Sequence, residues 1–547
     1  MSKYLHYFEV DGPKYEKERK YNYKEPWASY VDETSEVKYN KTEEEKKEDE
    51  EINTPLTFEV LSDGVIRWKA QSTAYTTTIE YRKNIGEWTS ITSATGDSAP
   101  SISVVVGDIV QFRGDNVTYA TVSTATLRYN YFSGTTCGFK AYGNIMSLID
   151  SEGFSGVTTL ASSYTFYNLF NGCTGLTSAE NLILPATTLA SSCYYNMFSG
   201  CTSLTEAPEL PATRLADSCY GSMFRGCTSL TAAPELPATS LEEALGCYSG
   251  MFSYCTSLVS APALPATTLA QNCYTSMFAG CTNLTQAPEL PATILANYCY
   301  QNMFNGCTSL TSAPELPATS LAYGCYQYMF QGCTSLTQAP ELPATSLADD
   351  CYHTMFAGCR SLTTAPELPA TRLAPHSYQD MFSGCTGLTV TPVFCATTLA
   401  NYCCEGMFRN CSRLVTIHSL PATSVTTGCY QYMFAGCTSL TTAPELLATT
   451  LANNCYQYMF QGCKNLTQAP ELPAPTLVNY SYRGMFDGCT KLNYIKCLAT
   501  NISATESHNY WVSGVASSGT FVKAASMSSW PTGTSGIPRN WTVQDAS

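Results

Sequence analysis

The chain has 547 residues, of which 44% are apolar and 13% charged, and its formal net charge is −15. This composition excludes a chain that is disordered throughout, and the acidic balance excludes the basic face that nucleic-acid binding requires. No stretch reaches the roughly 18 continuous apolar residues of a membrane span, and the first twenty residues lack the apolar core of a secretory signal. We therefore expect no nucleic-acid partner and no membrane insertion.

Residues 1–52 form a charged segment that ends in KTEEEKKEDEEI. Such a run is typical of a solvated linker or helix. The aromatic residues Tyr21, Tyr23, Trp27 and Tyr30 precede it and are not typical of a linker. We predict that they dock this arm on a partner. The alternative is an unstructured tail in which the aromatics are incidental.

Residues 53–131 alternate apolar and polar residues in short runs such as LTFEV, TTIEYR and IVQFRG. Turn residues separate these runs, and the period of two predicts an antiparallel β-sandwich that serves as an adaptor domain. Residues 132–170 contain degenerate repeat text, which predicts an N-terminal cap on the repeats that follow.

Residues 132–497 are assigned to a repeat array with a 26-residue period. The repeat phenylalanines recur at intervals of 28, 26, 28 and then 26 residues. They are Phe170, Phe198, Phe224, Phe252, Phe278, Phe304, Phe330, Phe356, Phe382, Phe408, Phe434, Phe460 and Phe486. One copy buries too little apolar surface to offset the entropy of ordering its residues, so the copies must stack to fold.

One half of each copy has helical spacing. In LASSCYYNMFSGC, Ala190, Cys193, Tyr194 and Met197 follow the i, i+3, i+4, i+7 pattern, and Gly200 follows them. This spacing predicts two helical turns that end in a left-handed glycine cap.

The other half of each copy, such as CTSLTEAPELPAT, repeats its apolar residues at every third position. Its prolines argue against a long strand, because proline cannot donate to a sheet. We predict a very short parallel strand near SLT, followed by an extended run resembling polyproline.

The cysteines occupy two columns, one in the phrase GC and one in the phrase CY. Ser377 and Ser481 replace cysteine in the second column, while Cys385 and Cys489 remain in the first. An obligatory disulfide within each copy would not allow this. The pattern favours buried, reduced thiols that fill space between stacked copies; disulfides and metal binding are the alternatives.

Residues 498–547 lose the period. Trp511, Trp530 and Trp541 are predicted to cover the last copy as a C-terminal cap.

The phrase MFxGCTSLTxAPELPATxLAxxCYxxMF, over residues 158–497, resembles the BspA-like leucine-rich repeats. The match is clearest in a run of six positions: Phe304, Gly306, Cys307, Thr308, Ser309 and Leu310. The resemblance implies a leucine-rich-repeat-like solenoid of about 13 coils, here preceded by the β-sandwich and the extended arm. It also implies adhesion or another binding function.

Three flanking stretches resemble virion and tail-fibre proteins from phages of gut Bacteroidales, including the crAss-like group. These stretches are residues 23–41, 55–116 and 511–543. The resemblance implies a location on a virion and docking of the arm on other virion proteins.

The sequence contains no recurrent catalytic constellation. His353 stands beside Cys351, which suggests a Cys–His pair, but the cysteine belongs to a structural column. We find no phosphate-binding loop and no hydrolase or metalloprotease motif. We therefore expect no enzymatic activity, no cofactor and no metal.

A glutamate recurs at one position of the repeat, in the phrase PEL. The resulting column is either a solvated acidic stripe or a surface that attracts divalent cations. Its members are Glu209, Glu235, Glu289, Glu315, Glu341, Glu367, Glu445 and Glu471.

The two positions between CY and MF vary while their neighbours are constant, which marks them as a recognition face or as an exposed surface without function. The candidate binding residues are Tyr195, Asn196, Gln327, Tyr328, Gln379, Asp380 and Arg483.

We predict that the chain is a structural protein of a phage virion, a head or tail fibre or a decoration protein. Its array would adhere to a glycan or protein on the host surface, and a homotrimer is one assembly to be tested. The alternative is a BspA-like adhesin on a bacterial cell surface. A depolymerase is the third class of function considered, and the sequence shows no acid and base pair for it.

Overall fold

The computed structural model describes residues 50–123 and 126–546. The docking candidates Tyr21, Tyr23, Trp27 and Tyr30 lie outside these residues.

The described part is rich in β-structure and nearly free of helix. Its strands are β1 Leu56–Val60, β2 Gly64–Ala70, β3 Thr78–Lys83, β4 Thr89–Thr92, β5 Ser101–Val104, β6 Ile109–Arg113, β7 Ala120–Ser123, β8 Thr126–Phe132, β9 Phe139–Asn144, β10 Leu176–Ser178, β11 Leu182–Ile183, β12 Tyr494–Cys497, β13 Thr520–Lys523 and β14 Thr542–Asp545. Short 3-10 helices span Gly96–Ser98, Ile145–Leu148 and Phe154–Gly156.

Strands β1 to β8 pair in antiparallel fashion in two sheets. One sheet contains β1, β6, β3 and β4 in that order, and the other has the order β5-β2-β8-β7. The inward residues of both sheets meet in an aromatic core. The ring of Phe132 in β8 lies 5.0 Å from Phe58 in β1 and 4.9 Å from Phe112 in β6. Trp68 in β2 completes this cluster at 4.8 Å from Phe132.

Strand β9 joins the antiparallel sheet to the repeats. It pairs with β1 in antiparallel fashion and with β10 and β11, from the first copy, in parallel fashion. Phe132 also stacks on the repeat residue Phe170, with ring centroids 5.7 Å apart. The two-sheet region and the repeats therefore share one hydrophobic core, with no linker between them.

The repeat phenylalanines form one continuous stack. From Phe170 to Phe486, consecutive ring centroids lie 5.4–5.8 Å apart, and the rings are nearly parallel. A second stack of buried tyrosines runs beside it from Tyr194 to Tyr378, where Cys404 interrupts it. Because every copy contributes the same side chains at the same positions, each buries the apolar face of the one before it.

The segment predicted as two helical turns is a succession of tight turns, so the helix prediction is wrong. In residues 192–200, alternate amides bond to the carbonyl three residues back, as Tyr195 N does to Ser192 O at 3.3 Å. The intervening amides bond to the next copy, as Tyr194 N does to Cys219 O at 2.9 Å. An α-helix would use these amides internally and would leave none to join the copies. We call this segment the turn run.

Every fourth residue of the turn run has a positive φ, with 55° at Ser192, 54° at Asn196 and 74° at Gly200. The left-handed conformation predicted for Gly200 is therefore present, but it closes a turn and does not cap a helix. Four residues per turn bring buried pairs to the same side, which imitates helical spacing in the sequence.

The proline-rich half of each copy follows the prediction of minimal strand content. Neighbouring copies pair there through single parallel bridges just after the SLT phrase, for example Gln286 with Ser312 and Ser312 with Gln338. Prolines such as Pro314 interrupt longer pairing, because they have no amide to donate.

The cysteines of the two columns are buried, as the sequence predicts, and their sulfur atoms are free. Cys395 lies outside the columns and is exposed. The structure adds a role that the sequence argument missed. Each cysteine of the GC phrase from Cys201 to Cys489 donates its S–H to the repeat phenylalanine carbonyl of the preceding copy, at 3.0–3.2 Å. Burial raises the pKa of the Cys201 thiol to about 12, so the thiols remain protonated donors at neutral pH.

The last copies are covered by β12, β13 and β14, which form a parallel sheet. Trp511 is fully buried, and its ring lies 6.4 Å from both Tyr482 and Phe486, at the end of the two stacks. Trp530 stacks on Trp511 at 5.5 Å, and the indole nitrogen of Trp541 donates to Ala516 O. The aromatic residues of this segment therefore cover the open end of the core.

Candidate recognition face

The turn run displays the variable positions between buried neighbours. In the copy around Phe330, Gln327 and Tyr328 are half-buried, while the pairs before and after them are buried. Since the copies stack in register, the equivalent residues follow one another in two surface columns. We call one part of the first column the polar strip; it consists of Gln301, Gln327, His353, Gln379 and Glu405.

Side chains of the polar strip bond to their counterparts in neighbouring copies. The amide nitrogen of Gln301 donates to Gln327 Oε1 at 2.6 Å. The amide nitrogen of Gln327 lies 2.9 Å from His353 Nδ1, which also lies 3.0 Å from Asp350 Oδ1. A neutral His353 accepts from Gln327, and a protonated one donates to Asp350.

A second group continues the strip in the following copies. His376 Nδ1 lies 2.7 Å from Gln379 Oε1, and the amide nitrogen of Gln379 donates to Glu405 Oε2 at 2.9 Å. The His376 ring stacks on Tyr402, with centroids 5.3 Å apart. Gln379 is therefore held at both ends, which fixes the direction of its amide.

The strip and its neighbours contain titratable groups whose charged forms are disfavoured. Burial lowers the pKa of His353, and the neighbouring Asp350 partly opposes this shift. Burial raises the pKa of Asp380. Burial, and next the charge of Asp380, raise the pKa of Glu405. Hydrogen bonds to Tyr298 and then Asp350 raise the pKa of the nearby Tyr323. Each shift therefore works against the charged form of its group.

The variable positions are also constrained in pairs, which sequence reasoning missed. A Cβ on Gly221 would lie 2.6 Å from the ring of Tyr195 in the preceding copy. The same fit occurs just before the CY phrase, where a Cβ on Gly324 would lie 2.7 Å from the ring of Tyr298. Large side chains lean over the next copy, and a glycine there leaves room for them. The signal in the sequence is a bulky residue followed 26 residues later by glycine.

The remaining binding candidates lie elsewhere in the array. Tyr195 stacks on Tyr167 at 5.3 Å, and Asn196 is half-buried next to it. Arg483 forms an ion pair with Glu506 at 2.8 Å, close to the last copy. The structure thus brings Gln327, Tyr328, Gln379 and Asp380 together within three consecutive copies, but it separates Tyr195, Asn196 and Arg483 from them.

Comparison with known families identifies the repeat. A family model described as a BspA type leucine rich repeat region (6 copies) matches residues 135–285, 247–389, 315–441 and 378–511. These matches cover residues 135–511 without a gap, which is more than half of the chain. The chain belongs to the BspA-type leucine-rich repeat family. Neither a curated protein nor a solved structure matches it. BspA-type repeats suggest a surface protein resembling an adhesin, and leucine-rich repeat families are in general non-enzymatic.

The recurring glutamates of this BspA-type array line shallow grooves between copies on its proline-rich side. One groove of about 380 Å³ lies between two consecutive copies, and exposed Glu315 and Glu341 both border it. Equivalent grooves recur beside Glu367 and Glu445. Their walls are proline, leucine and alanine, so each glutamate is the charged group of an otherwise apolar groove.

The described ranges of this BspA-type protein contain no group of three or more His, Cys, Asp or Glu side chains placed to hold a metal ion. In the same part of the chain, no helix combines the length and the apolar character needed to cross a membrane.

Proposed function

We propose that this BspA-type protein is an adhesion protein in which a solenoid carries a recognition surface. The observation that supports this most directly is the contrast between constant and variable positions. The core columns repeat the same residues, whereas the half-buried columns of the turn run change from copy to copy. A constant core with a changing surface is how repeat proteins build extended binding faces.

Continuous stacking supports the solenoid. Twelve ring-to-ring intervals of 5.4–5.8 Å give the phenylalanine column a length of about 67 Å. A column of this length can hold a binding face away from the structure that carries it. Many copies on one carrier would turn weak single contacts into firm attachment.

The carrier that we propose is a phage particle, with the arm of residues 1–52 docked on other virion proteins. The basis is the resemblance of the flanking stretches to virion proteins. A bacterial cell surface is the second candidate, and the family match is compatible with both carriers. In both settings the protein binds and does not catalyse.

Adhesion is tested by incubating the labelled full chain with cells of gut Bacteroidales strains and measuring retention by flow cytometry. We expect saturable retention that excess unlabelled protein displaces. Retention that neither saturates nor is displaced would reject the proposal.

The carrier is tested by immunogold labelling with an antibody against residues 498–547. Gold on phage particles, lost when residues 1–52 are deleted, is the expected result. Gold on bacterial cells would instead favour the second carrier. Light scattering of the purified chain distinguishes a trimer from a monomer.

A further inference from the structure

The polar strip lacks the anchor that a protein partner would need. Protein interfaces centre on apolar or aromatic residues that become fully buried, and charged residues are depleted there. Among the exposed large apolar side chains of the described residues, none belongs to the strip. Of those in its copies, Tyr323 is 40% exposed, but its hydroxyl is hydrogen-bonded to Tyr298 and Asp350. The others belong to the proline-rich half of their copies and are Ile294, Val390, Val393 and Val415.

The next corner of the turn run carries a column of glycines. Gly306, Gly332, Gly358 and Gly384 follow one another in four consecutive copies. A Cβ built on each would lie 3.7–3.9 Å from the glycine of the preceding copy, so these glycines lie directly over one another. A column of glycines therefore runs parallel to the strip, and an extended ligand can lie along it. Beside this column, the side chains of Asn305 and Gln331 are hydrogen-bonded to each other at 2.8 Å.

The functional groups of the strip suit hydroxyl groups. The amides of Gln327 and Gln379 bond to neighbouring side chains through one N–H and one oxygen lone pair, and each keeps a second N–H and a second lone pair that can bind hydroxyls. Tyr328 lies 5.1 Å from the ring of His353, and Tyr402 stacks on His376. Tyr402 lies between His376 and Gly428. The half-buried ring of Tyr328 therefore provides an apolar surface of the kind on which the C–H face of a sugar ring packs.

The charge of this region selects among polysaccharides. Asp350, Asp380 and Glu405 outnumber Arg409, while the burial of His353 favours its neutral form. A polyanion would meet this acidic excess at close range, which costs free energy. A neutral polysaccharide chain would not meet this electrostatic cost.

We propose that the polar strip and the adjoining glycine path bind a neutral, linear polysaccharide that lies along the stacking direction, a role that rests on the proposed adhesive function. Each copy presents one amide, imidazole or carboxylate group, so successive sugars meet successive copies. Affinity grows with the number of sugars until the strip is filled.

The test uses the full chain on an array of linear oligosaccharides of neutral hexose, N-acetylhexosamine and uronic acid. The double variant Gln327→Met/Gln379→Met keeps side-chain length but removes the amides. We expect retention on neutral oligosaccharides and a loss of at least about tenfold in this variant. The matched control Gln286→Met/Gln338→Met changes exposed glutamines on the proline-rich half and should bind like the parent.

Several outcomes overturn the inference. They are no retention on any neutral oligosaccharide, retention on uronic acids alone, and equal losses in both double variants. Both variants must keep the melting temperature of the parent; if the first does not, the single variant Gln327→Met is used in its place. If the chain fails on the array but still adheres to cells, only the polysaccharide inference falls. If it also fails on cells, the adhesive function falls with it.

Discussion

Substitution of Gly324, which lies beneath the ring of Tyr298, tests how closely neighbouring copies pack. Gly324 has a φ of 56°, and a Cβ there would lie 2.7 Å from the ring of Tyr298. Gly332, in the same copy, has a φ of 74°, but its Cβ would meet only Gly306 at 3.7 Å. Alanine at either position must adopt a left-handed backbone conformation, which costs free energy. Alanine at position 324 must also displace the tyrosine ring.

The expected costs follow from these contacts. Gly332→Ala should destabilise its copy by about 1 kcal/mol, the cost of a left-handed alanine. Gly324→Ala should cost about 2 kcal/mol more, because overpacking typically costs 1–3 kcal/mol. That difference corresponds to about 30-fold in the local opening equilibrium.

Local opening is measured by hydrogen exchange and mass spectrometry on peptides that span residues 296–330, because long arrays do not unfold in two states. The amide of Tyr298, bonded to Tyr323 O at 2.9 Å, reports on the contact between the two copies. The double variant Tyr298→Ala/Gly324→Ala should recover most of the difference. Equal loss of protection in Gly324→Ala and Gly332→Ala, or no recovery in the double variant, would refute the reasoning.

Three further predictions concern the thiols, the core and the strip. In the native protein, a thiol reagent such as dithionitrobenzoate should modify Cys395 rapidly, because the other 26 of the 27 cysteines are buried; several fast thiols would contradict the burial of the columns. Phe330→Ala should destabilise the adjoining copies by about 3–5 kcal/mol, since the ring is fully buried and stacked on both sides, and hydrogen exchange that stays unchanged would exclude this. Burial lowers the pKa of His353 below its ordinary value of 6.5, so the unfolded chain protonates more readily and the histidine destabilises the fold as pH falls below about 6.5. The melting temperature of His353→Gln should therefore fall less than that of the parent between about pH 6.5 and 5, and parallel curves would contradict the assigned shift.

The period of the phenylalanines was sufficient to predict stacking, because only stacked copies bury enough apolar surface to fold. The replacement of cysteine by Ser377 and Ser481 likewise separated buried thiols from obligatory disulfides. The helix prediction failed for a physical reason. Four residues per tight turn and 3.6 per helical turn bury nearly the same positions over two turns, so the pattern of Cys193, Tyr194 and Met197 fits both.

Only the structure showed which amides bond to the next copy, and this choice decides between tight turns and a helix. It also showed that the thiols are hydrogen-bond donors, since their acceptors lie about one copy away in the sequence. For the candidate site, too, the sequence and the structure contributed different parts. The sequence marked Gln327 and Gln379 as variable, but it did not show that His353 and Glu405 bond to them from neighbouring copies.

The amino-acid sequence by itself determined the register of the array, because each copy repeats the side chains that must meet, and it determined the family to which the repeats belong. The tertiary structure decided the backbone path within a copy and the grouping of the polar strip. Both depend on hydrogen bonds between residues about 26 positions apart, and such bonds form only once the copies are stacked.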